Sequence, residues 1–153
     1  YKGRPACSMG HAGALSFFPS KNLGGAGDGG MVVTRDAALE AGVRLLRNHG
    51  ASRTYFHDIV GTNSRLDALQ AAVLLVKLRH LDQWSEARRA NAAYYDEKFA
   101  DVPEVVTPFV SPDCHHVYNQ YVIRVPERER ARALFAERGI GCAVYYPRSL
   151  HRQ

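Results

Sequence analysis

Ser16-Phe17-Phe18-Pro19-Ser20-Lys21-Asn22-Leu23-Gly24-Gly25-Ala26-Gly27-Asp28-Gly29-Gly30 is the stretch on which the reading of this chain turns. Its front end closes an apolar run that reads as a buried strand over 12–18, ending at Pro19. Its back end opens onto Met31-Val32-Val33-Thr34, a second short strand. The glycines from Gly25 to Gly30 match G-x-G-x-x-G. A dinucleotide site, however, needs a strand before the glycines and a helix starting at them. Here a strand comes next, and there is no G-K-[ST] of a phosphate-binding loop. The glycines are therefore read as a tight turn with positive φ at several of them. Lys21 is more informative. Lysine is scarce in this chain, and Lys21 stands between Pro19 and the glycines with Phe17, Phe18 and Leu23 as apolar neighbours. A lysine so placed can act as an imine-forming amine. An ordinary lysine is almost wholly protonated at neutral pH. Condensation with an aldehyde cofactor changes the group itself, so no burial is needed to keep it neutral.

Further along, Asp36 is placed to cap a helix over 37–47, with Leu39, Val43 and Leu46 at helical spacing, and His49-Gly50 closes it. Residues 51–64 have no clear period and hold Tyr55, Phe56, His57 and Asn63, which reads as a long functional loop. From Leu66 to Phe99 helix formers run without Pro or Gly. Unbroken, such a helix would span roughly 50 Å. Pro103, Pro108 and Pro112 mark a connection. Beyond it come a strand over Val117–Val125, a helix over 127–138 and a strand over Cys142–Tyr146. The expected architecture is α/β: residues 1–80 in one layered domain, 81–100 as an interdomain helix, and 101–153 as part of a smaller α/β domain.

With 153 residues, 46% hydrophobic and 23% charged, the composition is that of a soluble globular protein with room for a core. The longest apolar run, Ala71–Val76, stops at Lys77, far short of the roughly 20 residues a membrane helix needs. No charged-then-apolar leader is visible. The chain opens on Tyr1 and ends at Gln153 just after an apparent strand and turn, which suggests a piece of a longer protein. Net charge is +5, from 16 Arg and four Lys that are scattered rather than blocked together. Arg128, Arg130 and Arg132 alternate with Glu127 and Glu129, the pattern of a solvated helix face and not of a nucleic-acid stripe. Anionic small molecules remain suited to dispersed guanidinium groups. Cys7, Cys114 and Cys142 form no C-x-x-C pair, so neither a disulfide framework nor a zinc knuckle is expected, and the default setting is reduced and cytoplasmic. His115-His116 lack a third ligand in the sequence, and no metal is expected.

The segment from Ser16 to Gly24, with Gly27-Asp28-Gly29-Gly30 after it, closely resembles the lysine segment of the DegT/DnrJ/EryC1/StrS sugar aminotransferases. The resemblance continues, in order, through Arg47-Asn48-His49-Gly50, Gly61-Thr62-Asn63-Ser64-Arg65-Leu66-Asp67 running into Gln70-Ala71-Ala72, His116-Val117-Tyr118-Asn119-Gln120-Tyr121-Val122, and Tyr145-Tyr146-Pro147 with Leu150-His151 and Gln153. It covers almost the whole chain. It implies a fold-type I pyridoxal 5'-phosphate enzyme, seen here as part of its large domain plus part of its small C-terminal domain. The implied reaction is transamination of a nucleotide-linked keto sugar with an amino acid donor, usually glutamate, in a homodimer with shared active sites. By that analogy Lys21 forms the internal aldimine and then moves the proton, and Ser16 donates to the cofactor phosphate. Asn63 would reach the phosphate of the neighbouring subunit's cofactor, with Arg65 beside it. Tyr55, His57 and His116 would line the sugar or nucleotide pocket.

Plainer readings stand beside these: Ser16 bonding to backbone, Asn63 as a turn residue, Arg65 in an ion pair at a helix start, and the aromatic loop residues simply packing. Asn119 sits where the family often has His, and Ser149 where it usually has Pro. The family's residues for the pyridine nitrogen, its ring-stacking aromatic and its phosphate-binding helix N-terminus would precede Tyr1, so these 153 residues alone are expected to bind the cofactor poorly. A related sugar dehydratase typically has His at the lysine position, which Lys21 argues against. An aromatising relative with the same lysine, a non-enzymatic regulator of the same fold and a truncated remnant are the other readings.

Overall fold

The structure, a computed structural model, describes residues 1–153. The chain is α/β. Strand β1 (Ala12–Ser16) pairs antiparallel with β2 (Gly30–Thr34), in a register that sets Ala12 opposite Thr34 and Ser16 opposite Gly30. Helix α1 (Ala37–Arg47) comes next and packs against β2. It starts where the sequence places it, because the Asp36 carboxylate accepts from the N–H groups of Ala38 (2.8 Å) and Leu39 (3.1 Å). These are donors that the first helical turn cannot satisfy itself. It ends at a turn in which His49 (φ 60°) and Gly50 (φ 68°) are both left-handed and the Gly50 N–H returns to the Leu45 carbonyl at 2.9 Å. A Cβ on Gly50 would lie 1.8 Å from the Ile59 carbonyl oxygen, so only glycine fits.

The expected loop over 51–64 is instead a short bulged hairpin, β3 (Ala51–Arg53) with β4 (Phe56–His57). A bridge between Asn48 and Asn63 draws the far end of the segment back to the end of α1. The long helix is two helices, α2 (Ala68–Leu78) and α3 (Leu81–Phe99), separated at Arg79-His80. Helix α4 (Arg128–Glu137) lies where the sequence pattern puts it. Its charges pair along its own surface: Arg128 with Glu129, Arg130 with Glu127 and Arg132 with Glu129. The Arg128 hydrogen bond is the main reason the Glu129 carboxyl titrates below the usual carboxylate range.

Three further expectations are corrected. None of Gly24–Gly30 has positive φ; close approach of neighbouring groups is what requires the glycines there. The strands expected at 117–125 and 142–146 are irregular chain without a ladder, apart from one bridge between Val106 and Arg124, because neither segment finds a neighbouring strand. Strand β1 is mostly exposed rather than buried, since a two-stranded ribbon with α1 packed on β2 leaves much of its surface uncovered. Buried apolar side chains are few: Phe17, Leu74 and Ala92.

The chain divides into two compact units, Tyr1–Ala92 with Val110–Asn119, and Ala93–Phe109 with Gln120–Gln153. The segment 110–119 thus belongs with the first unit, whereas the sequence pattern groups all of 101–153 together. In the second unit Tyr121 donates to the Asp96 carboxylate at 2.5 Å and its ring packs on Tyr95, which anchors the chain after 120 to the end of α3. No helix is long and apolar enough to cross a membrane. Replacing Asp36 with Ala should lower stability by about 1 kcal/mol through loss of the α1 cap, measurable as a shifted denaturation midpoint of the complete protein.

Candidate functional site

Phe17 organises the segment after β1. Its side chain is buried, its N–H donates to Gly29 O at 2.8 Å, and its carbonyl accepts from Gly25 N–H at 2.8 Å. The chain from 18 to 29 is therefore folded back on one residue. Within it the Lys21 N–H donates to the Phe18 carbonyl at 2.9 Å, which closes a turn. The Lys21 side chain is exposed, and no hydrogen bond or ion pair engages its amine. Phe17 points inward and Phe18, by the two-residue alternation of extended chain, points outward at 51% exposure.

The residues on either side of Lys21 are held from a distant segment. The Asn22 amide donates to the Val117 carbonyl at 2.9 Å. The Asn119 amide donates to the Asn22 side-chain oxygen at 3.0 Å and to the Ser20 carbonyl at 3.2 Å. Segment 116–119 is itself held by α3: Arg88 donates to the carbonyls of Tyr118 and Asn119, and Arg89 to that of His116. From the other side, α2 clamps the glycines. The Gln70 side-chain oxygen accepts from Ala26 N–H at 2.8 Å, and the Lys77 amine donates to the Gly24 carbonyl. A Cβ on Gly25 or Gly27 would come within 2.8 or 2.9 Å of the Gln70 amide, and one on Gly29 within 2.9 Å of Leu66. Gly25 and Gly27 make room for the Gln70 side chain of α2.

The other candidates fall into small groups. The Ser16 hydroxyl oxygen accepts from Phe18 N–H at 3.3 Å, and its own hydrogen is left to donate outward. Arg65 Nε donates to the Asn63 side-chain oxygen at 3.2 Å. That leaves the Asn63 amide hydrogens and the rest of the guanidinium facing an open hollow of about 400 Å³ shared with Leu66, Asp67 and Ala68. No ion pair involves Arg65, so its helix-start alternative is not realised. Tyr55, 91% exposed with φ 68°, forms the tip of the β3–β4 hairpin. On the same hairpin His57 Nδ1 lies 2.9 Å from the His49 carbonyl, to which it donates. His116 Nδ1 accepts from Tyr118 N–H at 2.9 Å, and the two rings are 4.3 Å apart. The structure thus joins His116 to the lysine loop through its neighbours, Asn63 to Arg65, and Tyr55 to His57; no hydrogen bond links one of these groups to another.

Sequence reasoning assigns no role to Asn22, Gln70, Lys77, Arg88 or Arg89. Gln70 and Asn22 lie inside recognised motifs, whereas Arg88 and Arg89 look like any solvated helix face.

The sequence pattern of the DegT/DnrJ/EryC1/StrS aminotransferase family matches residues 1–153. The chain belongs to that family. It is 46% identical to a pleiotropic regulatory protein of Geobacillus stearothermophilus, with 100% of this chain and 42% of that protein covered. It is 44% identical to a UDP-N-acetyl-3-dehydro-alpha-D-glucosamine 3-aminotransferase of Acidithiobacillus ferrooxidans, with 99% and 41% covered. Its fold superposes on S. venezuelae DesV, crystallised in complex with a ketimine intermediate, with TM-score 0.95 and 42% identity over 100% of this chain and 41% of DesV. The chain therefore spans about two fifths of the length of these family members.

If Gln70 is what requires a glycine at 25, the two positions are coupled. Gly25→Ala should displace the Gln70 amide and cost about 1 kcal/mol, the worth of its hydrogen bond. In a Gln70→Ala background the same change should cost clearly less, which a double-mutant cycle on denaturation midpoints measures.

Proposed function

We propose that the complete protein is a sugar aminotransferase, which transfers an amino group from an amino acid donor, glutamate, to a nucleotide-linked keto sugar with pyridoxal 5'-phosphate as cofactor. The observation that carries this reading is a lysine amine without a protein partner, presented on a loop braced from both sides, in a chain of this family. The Acidithiobacillus relative is named as a 3-aminotransferase of a UDP-linked 3-dehydro sugar, and DesV is crystallised with a ketimine, the class of adduct formed when an amine condenses with a ketone.

The residues fit the cofactor chemically. A primary amine is presented by Lys21, an uncommitted hydroxyl hydrogen by Ser16, and amide and guanidinium donors by Asn63 and Arg65 around an open hollow. Phosphate dianions are best held by such donors. When bound, the cofactor supplies the electron sink for a carbanion at the substrate carbon. Lys21 would be its covalent anchor, and Nζ would serve as the base and acid that moves the proton between the substrate carbon and the cofactor's aldehyde carbon. Ser16 Oγ–H donates to the phosphate within the subunit, while Asn63 and Arg65 serve the neighbouring subunit's phosphate, which makes the enzyme a homodimer. Tyr55, His57 and His116 contact the sugar or nucleotide. In domain terms, residues 1–80 form part of the large cofactor-binding domain, 81–100 the interdomain helix and 101–153, apart from the stretch 110–119 that packs with the first unit, part of the small domain, in a cytoplasmic enzyme. A regulatory role is the second reading, favoured by the name of the Geobacillus relative. A dehydratase is disfavoured by Lys21 itself.

Incubating the complete protein with pyridoxal 5'-phosphate, reducing with borohydride and mapping the product by mass spectrometry should place a pyridoxyl group on Lys21. A label confined to other lysines would refute the assignment. Lys21→Ala should lower transamination by about 10²-fold or more while leaving the oligomer folded. Stoichiometric labelling without any transamination of keto sugars would favour the regulatory reading.

A further inference from the structure

Lys21 is bracketed by two contacts to one residue. Asn119 donates one bond to the carbonyl of the residue before it, Ser20, and one to the side chain of the residue after it, Asn22. Asn22 returns a bond to the carbonyl of Val117. The two asparagine amides thus form a reciprocal latch between 20–22 and 117–119, with the Asn119–Asn22 bond partly buried. The distant half of the latch is stiffly held. Tyr118, between its two anchor points, has φ 42°, a conformation a bulky side chain adopts only when its surroundings impose it. Around it, Arg88 and Arg89 hold the carbonyls of Tyr118, Asn119 and His116.

The lysine has four rotatable side-chain bonds and no hydrogen bond or ion pair at its amine, so its reach is set by where its Cα is fixed. We infer that Asn119 is a positioning residue for Lys21: through Ser20 and Asn22 it fixes the turn from which the amine is aimed at its electrophile. This inference rests on the reading of Lys21 as the imine-forming amine. An error of about 1 Å in such positioning can lower a rate by about 10²-fold. The latch needs the amide hydrogens of Asn119, since both of its acceptors are oxygens. An aspartate of the same shape cannot supply them.

The test compares the complete protein with its Asn119→Ala, Asn119→Asp and Asn22→Ala variants and the Asn22→Ala/Asn119→Ala pair. The readout is the initial rate at which borohydride-trapped pyridoxyl accumulates on Lys21, divided by that on Lys98, an exposed lysine on α3. All variants, Asn119→Asp included, should slow Lys21 labelling about tenfold or more relative to Lys98, and the pair should be no slower than the slower single variant. A Lys21 rate within twofold of the parent in Asn119→Ala and Asn119→Asp overturns the positioning role, while the parent's label on Lys21 leaves the proposed function intact. Multiplicative losses in the pair would show two independent effects and overturn the latch. Absence of any Lys21 label in the parent overturns both the inference and the reading beneath it. If an Asn119 variant fails to fold, Asn22→Ala alone decides the matter by the same criterion.

Discussion

The loop 24–29 and the start of α2 meet at the Gln70 side chain, which a β-carbon on either of two loop glycines would have to displace. The Gln70 carboxamide lies within 2.8–2.9 Å of where one would sit on Gly25 or Gly27, and it uses that proximity to accept the Ala26 N–H at 2.8 Å. A polar side chain takes the place of a layer of apolar ones. Phe17, tied by both its backbone groups to Gly25 and Gly29, connects that contact to the lysine turn.

Much of the helical layout is legible in the sequence because its signals are local. Asp36 caps α1 through its own side chain, His49-Gly50 ends it, and the Arg/Glu alternation of α4 pairs on its own surface. The hidden features depend on partners distant in sequence. The apolar run around Val117 has strand composition, but a strand exists only with a neighbour to bond, and the backbone there is instead held by Arg88 and Arg89. The break between α2 and α3 falls at Arg79-His80, two residues with no helix-breaking character, so no local pattern could announce it.

The candidate site shows the same division. Lys21, Ser16, Asn63 and Arg65 are identifiable from motifs that run in order along the chain. Positive φ is the obvious reason for a glycine cluster, yet the structure uses those glycines for clearance. Of the residues that hold the site, Asn119 and Gln70 lie inside those motifs without a role that the motifs assign, and the two arginines of α3 carry no signature that distinguishes them from surface side chains until the fold brings them to their acceptors.

The interruption at Arg79-His80 has a geometric consequence. Helices α2 and α3 act as the two jaws of a caliper: the first grips the glycines through Gln70 and Lys77, the second reaches the far flank of the lysine turn by way of 116–119. Each added residue in a helix rotates the remainder of that helix by about 100°. Inserting one residue at the joint would swing Arg88 and Arg89 away from their carbonyls while leaving Gln70 in place, opening one jaw only. The length of this two-residue joint is therefore as constrained as any side chain it serves, although nothing in its chemistry says so.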